Sequence, residues 1–355
     1  MRILFTCGRE PAYPRNALLL KMLKQRYDVL EITENCRSLP LRYIKLSWRL
    51  LTNQIPYDIA FIGFLGHPLM LLSPYVVKSP VVFDMFVSFY DTLCLDRAWI
   101  SPQSVAGKLS LWLDKTATRK ASATLIDTRT HRDYLVNLLN LSPYQLTLLF
   151  VGCDDTIFYP RNTIGKTKPS IKILYYSSYL PLHGTQIVLQ AAYHLRSYPQ
   201  IHFKVIGAGV QAQDIEQQAR KLRLSNVEFS PPIPLIDLPA EIASADICLG
   251  GHFSTIPKAT HVIAGKTFQC IAMGKATIVG DNLANHELLT PQHDALFCPM
   301  GDDVALAQAI LILAEDGALR AHLGNNALKT FQEHASINAL RPQLYQIIET
   351  LSACS

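Results

Sequence analysis

The strongest constraint on this chain is a repeated alternation of short apolar runs with segments of helical period. The runs fall at 2–7, 27–32, 58–64, 80–84, 124–127 and 145–151, then again at 172–177, 202–206, 227–229, 246–249 and 276–279. Apolar residues run almost without interruption through them, as in strands covered on both faces, and helical segments separate them. That pattern specifies parallel sheets with helices on both sides. A length of 355 residues favours two such domains over one. The polar stretch 153–170, with Pro160, Gly165 and Pro169, interrupts the pattern and reads as a linker. The sequence therefore predicts an α/β chain of two doubly wound domains, residues 1–160 and 161–335, with a cleft between them. A terminal helix, 336–355, is expected to reach back to the first domain.

Composition narrows the function classes. With 49% hydrophobic and 17% charged residues, the chain has material for sizeable cores and is not a disordered protein. It has no apolar run long enough to cross a bilayer, and its start reads as a buried strand rather than a signal peptide. Eight cysteines occur with no Cys-x-x-Cys pair, which points to free thiols in a reducing cytoplasm and to no metal site. The net charge of +5 is uneven: residues 1–160 hold 18 Lys and Arg against 13 Asp and Glu, leaving 15 of each for the remainder. No basic cluster is interleaved with aromatics, so nucleic acid is not an expected partner. The segment 41–53 has an amphipathic period that groups Arg42, Lys45 and Arg49 on one side, with Ile44, Trp48 and Leu51 on another. It reads either as a cover for the sheet or as a contact with an anionic membrane surface.

The stretch 246–289 says most about chemistry. A strand ends in Gly250–Gly251, a loop carries Lys258 and His261, and a helix begins near Lys266. Gly274 stands at the expected helix C-cap, and a β-branched strand follows. The loops of such a βαβ unit lie at the carboxyl edge of a parallel sheet, where ligands bind. Cations beside a helix N-terminus make an anion site, and a diphosphate is the natural occupant. Lys266 has a second reading as an exposed helix-end residue, and Gln269 as a satisfied interior amide. His183 has a second reading as a cap for the helix opened by Gly184, and Gly207 and Gly209 as turn glycines. In the first half, Asp84 closes its strand at the carboxyl edge and is the foremost acid/base candidate. His67, before Pro68, is either a catalytic or a core histidine.

Several segments in the second half resemble the donor domain of the group 1 glycosyltransferases (family 4). The segment 173–184, ILYYSSYLPLHG, stands where that family has a strand followed by Gly-Arg-Leu and Lys-Gly; FKVIGAG at 203–209 resembles its strand with Gly-x-Gly. Ser244-Ala-Asp-Ile247 is similar to its Ala-Asp before a strand, and KTFQCIAMG at 266–274 to its Glu-Ala-Met-Ala-x-Gly. Glu287, with the segment 294–302, resembles its Glu and Pro-Gly-Asp tail. The chain departs from the family at four places: Gln269 and His261 stand for its two glutamates, and Ser178 and His183 for its phosphate-binding Arg and Lys. The resemblance implies the GT-B fold of two Rossmann-like domains and a retaining transfer from a nucleotide-sugar donor without a required metal or other cofactor. The expected donor-binding residues are His183, Gly184, Gly209, Lys258, His261, Lys266, Gln269 and Glu287; Asp84, His67 and Lys266 are the catalytic candidates. The acceptor would be a saccharide or a lipid-linked molecule at the inner membrane face, in cell-surface polysaccharide or glycolipid assembly. A catalytically silent sugar-binding partner and a sugar-nucleotide epimerase remain as alternatives.

Overall fold

The computed structural model describes residues 1–76, 79–161 and 170–353. Positions 162–169 of the expected linker lie outside the described residues. The chain forms two compact units, Met1–Val151 with Ile337–Ser355, and Gly152–Ser336. The division falls earlier than residue 160. The segment after Val151 packs into the second unit, where Cys153 Sγ donates to the Phe268 carbonyl at 3.6 Å and Phe158 is buried.

Strands β1 (Arg2–Cys7), β2 (Asp28–Glu31), β3 (Ile59–Gly63), β4 (Val81–Asp84), β5 (Ala123–Ile126) and β6 (Leu146–Leu148) make the first sheet, in the order β2-β1-β3-β4-β5-β6. The second contains β7 (Ile171–Ser177), β8 (Ile201–Gly207), β9 (Val227–Ser230), β10 (Ile247–Leu249), β11 (Ala276–Asp281) and β12 (Leu296–Pro299), ordered β12-β11-β10-β7-β8-β9. Every strand pair within the two sheets is parallel. Strand β12 has no counterpart in the sequence reading. It is a four-residue edge strand ending in Pro299, too short and too weakly patterned to announce itself.

The strand order reverses direction between β1 and β3 in one sheet, and between β7 and β10 in the other. Loops leaving neighbouring strands diverge at such a point and open a crevice at the carboxyl edge. In the first unit the crevice is flanked by Gly8 and Leu65; a Cβ on Gly8 would lie 2.0 Å from the Leu65 carbonyl oxygen, so only glycine fits. Helix Ile337–Ala353 covers one face of the first sheet beside helix Pro14–Lys24. Leu340, Leu344 and Ile348 join Leu18, Leu19 and Met22 in that core.

Helix Leu39–Leu51 corrects the sequence reading of its polar face. Arg42 points inward and is 1% exposed, bonded to the carbonyls of Cys36 and Gly8 and to Glu10. Arg49 donates to the Thr33 carbonyl at 2.6 Å. The apolar residues Leu41, Ile44, Trp48 and Leu51 face solvent instead. The period located two faces correctly, but guanidinium groups that find carbonyl partners can be drawn inward: Arg42 is buried and Arg49 half-buried.

Candidate functional site

In the second unit the crevice lies between the ends of β7 and β10. The chain leaves β7 through Ser177, Ser178 and Tyr179, and leaves β10 through Gly250, Gly251 and His252. Gly184 ties the two exits together. Its φ of +69° is left-handed, and a Cβ there would lie 2.6 Å from the Ser254 amide nitrogen. Ser254 Oγ donates to the Leu182 carbonyl at 2.7 Å across the same junction. Gly209 belongs to the β8 exit, where a Cβ would lie 1.9 Å from the Ser178 carbonyl oxygen. Both glycines are thus required by close backbone approach.

Helix Gly265–Ala272 points its N-terminal turn into this region and stops at Gly274, whose φ of +65° is the left-handed C-cap foreseen from sequence. Lys266 is buried on its first turn. Its Nζ donates to the Tyr176 carbonyl at 3.1 Å and sits 3.9 Å from the centre of the Tyr175 ring. Among the described residues no carboxylate pairs with it. Burial without a counter-charge pulls its amine down to about 7.

Two histidines complete the cluster. The rings of His183 and His252 lie parallel, with centroids 5.3 Å apart. His183 Nδ1 is 2.6 Å from Ser177 Oγ, and the Tyr175 hydroxyl donates to the His183 carbonyl at 3.1 Å. Burial, and then the nearby Lys266 and Lys258, lower His183 to about 3. Burial, with His183, Lys266 and Lys258, also pulls His252 well down. The Nδ1 atom of His252 is buried with no hydrogen-bond partner. Sequence reasoning missed His252; its only signal was its place directly after the Gly-Gly break of β10.

The other donor-side candidates border the same edge. Lys258 and His261 lie on the short helix Pro257–His261, which Asn282 Nδ2 ties to the β11 exit through the Ala259 carbonyl at 2.9 Å. Gln269 Oε1 accepts from the Tyr176 hydroxyl at 2.7 Å. Glu287 is half-buried on the turn Asn285–Glu287 after β11.

The two catalytic candidates of the first unit have different surroundings. Asp84 is fully buried and paired with Arg15, whose Nη2 lies 3.0 Å from Asp84 Oδ1 and whose Nη1 donates to the Phe150 carbonyl at 2.7 Å. His67 is likewise fully buried, edge-on to Phe83 and Phe89, and burial lowers it to about 3. Its Nε2 is 3.3 Å from Asp114 Oδ1, and Asp114 accepts from the backbone amides of Phe89 and Tyr90. Neither residue presents an atom to a substrate in this structure, because the protein itself encloses both. Asp84 is held by Arg15, and His67 lies against Asp114 between two aromatic rings.

Two doubly wound parallel units with these strand orders place the chain in the GT-B class of α/β proteins. Residues 170–316, within the second unit, match the family described as "Glycosyl transferases group 1". Solved structures share the whole fold. A sucrose-phosphate synthase from Thermosynechococcus elongatus superimposes with a TM-score of 0.80 at 16% identity, covering 100% of both chains. Anabaena Alr3699/HepE, solved in complex with UDP-glucose, gives 0.73 at 16% identity, over 99% of this chain and 100% of that one. A glycosyltransferase from Rickettsia africae gives 0.71 at 12% identity, over 99% and 98%. No protein of curated function matches the chain by sequence.

Proposed function

We propose that this protein transfers a sugar from a nucleoside-diphosphate sugar to a saccharide or lipid-linked acceptor, with retention at the anomeric carbon. The observation that carries this reading is the cluster of Lys266, His183 and His252, none paired with a carboxylate among the described residues, at the switch point of the family-matched unit. As the bond between the anomeric carbon and the diphosphate breaks, negative charge grows on the leaving group. Lys266, Lys258, the histidine pair and the amides of the first turn of helix Gly265–Ala272 meet it. The protein's own cations do this without a metal or other cofactor. Gln269, whose Oε1 is taken by Tyr176, offers its amide nitrogen to the ribose hydroxyls. The first unit binds the acceptor, and catalysis rests on positioning more than on a protein base. Assembly of cell-surface polysaccharide or glycolipid at the cytoplasmic membrane face is the setting that fits.

A screen of nucleotide sugars tests this directly. Release of nucleoside diphosphate, with or without added saccharide, supports the transferase. A new sugar epimer would replace it with an epimerase, and binding without turnover would replace it with a silent binding protein.

A further inference from the structure

The chain has three tryptophans, and all three are exposed on the first unit: Trp48 at 66%, Trp99 at 61% and Trp112 at 51%. Indole rings are large and apolar, so their collective exposure is unusual. Trp48 lies on helix Leu39–Leu51 in an exposed stripe with Leu41, Ile44 and Leu51. Trp112 lies on helix Val105–Lys120 in a second stripe with Val105 and Leu109. Both helices pack against helix His67–Val76, on the same side of the first sheet. The two stripes are therefore outer faces of one helical layer. Trp99 stands in the segment leading into the second helix, with the Arg97 guanidinium 4.6 Å from its ring centre.

The exposed charge around the stripes is mostly basic, with Lys45 Nζ 4.0 Å from Glu34 Oε1 at the edge of the first. Segments 39–54 and 97–120 contain a single acidic residue, Asp114, and it is fully buried. Lys45, Lys108, Arg119 and Lys120 are exposed among the apolar residues. A second copy of this chain docking on the same face would bring these basic rims together, which disfavours self-association. An anionic bilayer satisfies both features, because indoles settle at the headgroup level and basic residues meet acidic headgroups.

We infer that this helical layer is a membrane-docking face, which seats its three tryptophans in the headgroup region of an anionic leaflet without crossing it. Among the described residues no helix is long and apolar enough to span a membrane. The inference does not depend on the donor reading, and its failure would leave that reading intact.

Because every tryptophan lies on the proposed face, intrinsic fluorescence of the full chain reports on it alone. Vesicles of phosphatidylcholine with phosphatidylglycerol should shift the emission to the blue and co-sediment the protein. Each exposed basic residue removed should weaken binding about fivefold, the equivalent of roughly 1 kcal/mol. Trp48→Ser and Trp112→Ser should each reduce vesicle binding while leaving nucleotide binding unchanged, which also shows that the variants fold. No blue shift with any vesicle would overturn the inference. So would vesicle binding by both variants as strong as that of the unmodified protein, or a shift that depends on protein concentration without lipid; the last would assign the face to a second copy.

Discussion

Arg15 and Lys266 are both buried cations near the carboxyl edge of a parallel sheet, and they are satisfied in opposite ways. Arg15 meets Asp84 in an enclosed pair and spends a further donor on a backbone carbonyl. Lys266 has one carbonyl and the face of a tyrosine ring, with no carboxylate among the described residues. A buried charge with its partner in place is a structural element whose loss is costly. A buried cation without one has its charged form disfavoured, and an incoming anion would restore it. The first unit therefore holds its charge closed, while the second leaves its charge open, with no carboxylate beside it among the described residues.

The largest expected effect tests the closed side. Asp84→Ala should lower stability by about 3–5 kcal/mol, because it strands Arg15 in the interior. Replacing the pair together, as Arg15→Met/Asp84→Leu, should recover much of that loss in chemical denaturation. A small penalty for the single change would mean that the pair is not enclosed as described.

On the open side, Lys266→Met should behave in the reverse manner. Stability should hold or rise, since an uncompensated amine leaves the interior, while affinity for a nucleoside diphosphate should fall by about 1.5–3 kcal/mol. Denaturation and calorimetric titration of the same variant separate the two quantities. Lost stability with unchanged affinity would make Lys266 another structural cation.

The pH dependence of the empty protein sharpens the comparison. The Lys266 amine is lowered from 10.5 to about 7. The unfolded chain then binds more protons than the folded one between these values, so this group makes stability rise with pH across that window. Affinity for an anionic diphosphate should move the other way and weaken above about pH 7, as the empty site loses its charge. A flat affinity profile from pH 6 to 9 would remove Lys266 from the binding site.

Gln269→Ala should give the smallest effect, about 0.5–1.5 kcal/mol, the scale of one neutral hydrogen bond. If the amide holds ribose, nucleoside and nucleotide should weaken alike. Loss of stability alone would mean that its bond to Tyr176 is its whole role.

The open site was more legible in the sequence than the closed one. Lys266, His183 and Gln269 stand in segments whose order matches a family pattern, and Gly274 marked the helix end. Strand periodicity placed eleven of the twelve strands among the described residues, and β12 escaped because a short edge strand carries little pattern. The Arg15–Asp84 pair joins positions 69 residues apart, a contact that no local period encodes. For that reason the place of Asp84 at a strand end was visible in the sequence, but its partner was not. Arg42 misled in the same way, since amphipathic spacing does not say which face the protein covers. His252 follows a glycine pair in a loop, where periodicity ends and only the fold brings it against His183.

Proton uptake on binding tests the central claim most directly. Calorimetric titration of a nucleoside diphosphate near pH 8, in two buffers of different ionisation enthalpy, counts the protons taken up. If the diphosphate restores the charge on Lys266, binding should absorb up to about one proton per nucleotide, and Lys266→Met should abolish that uptake. Binding with no proton uptake, or with the same uptake in the variant, would contradict the account.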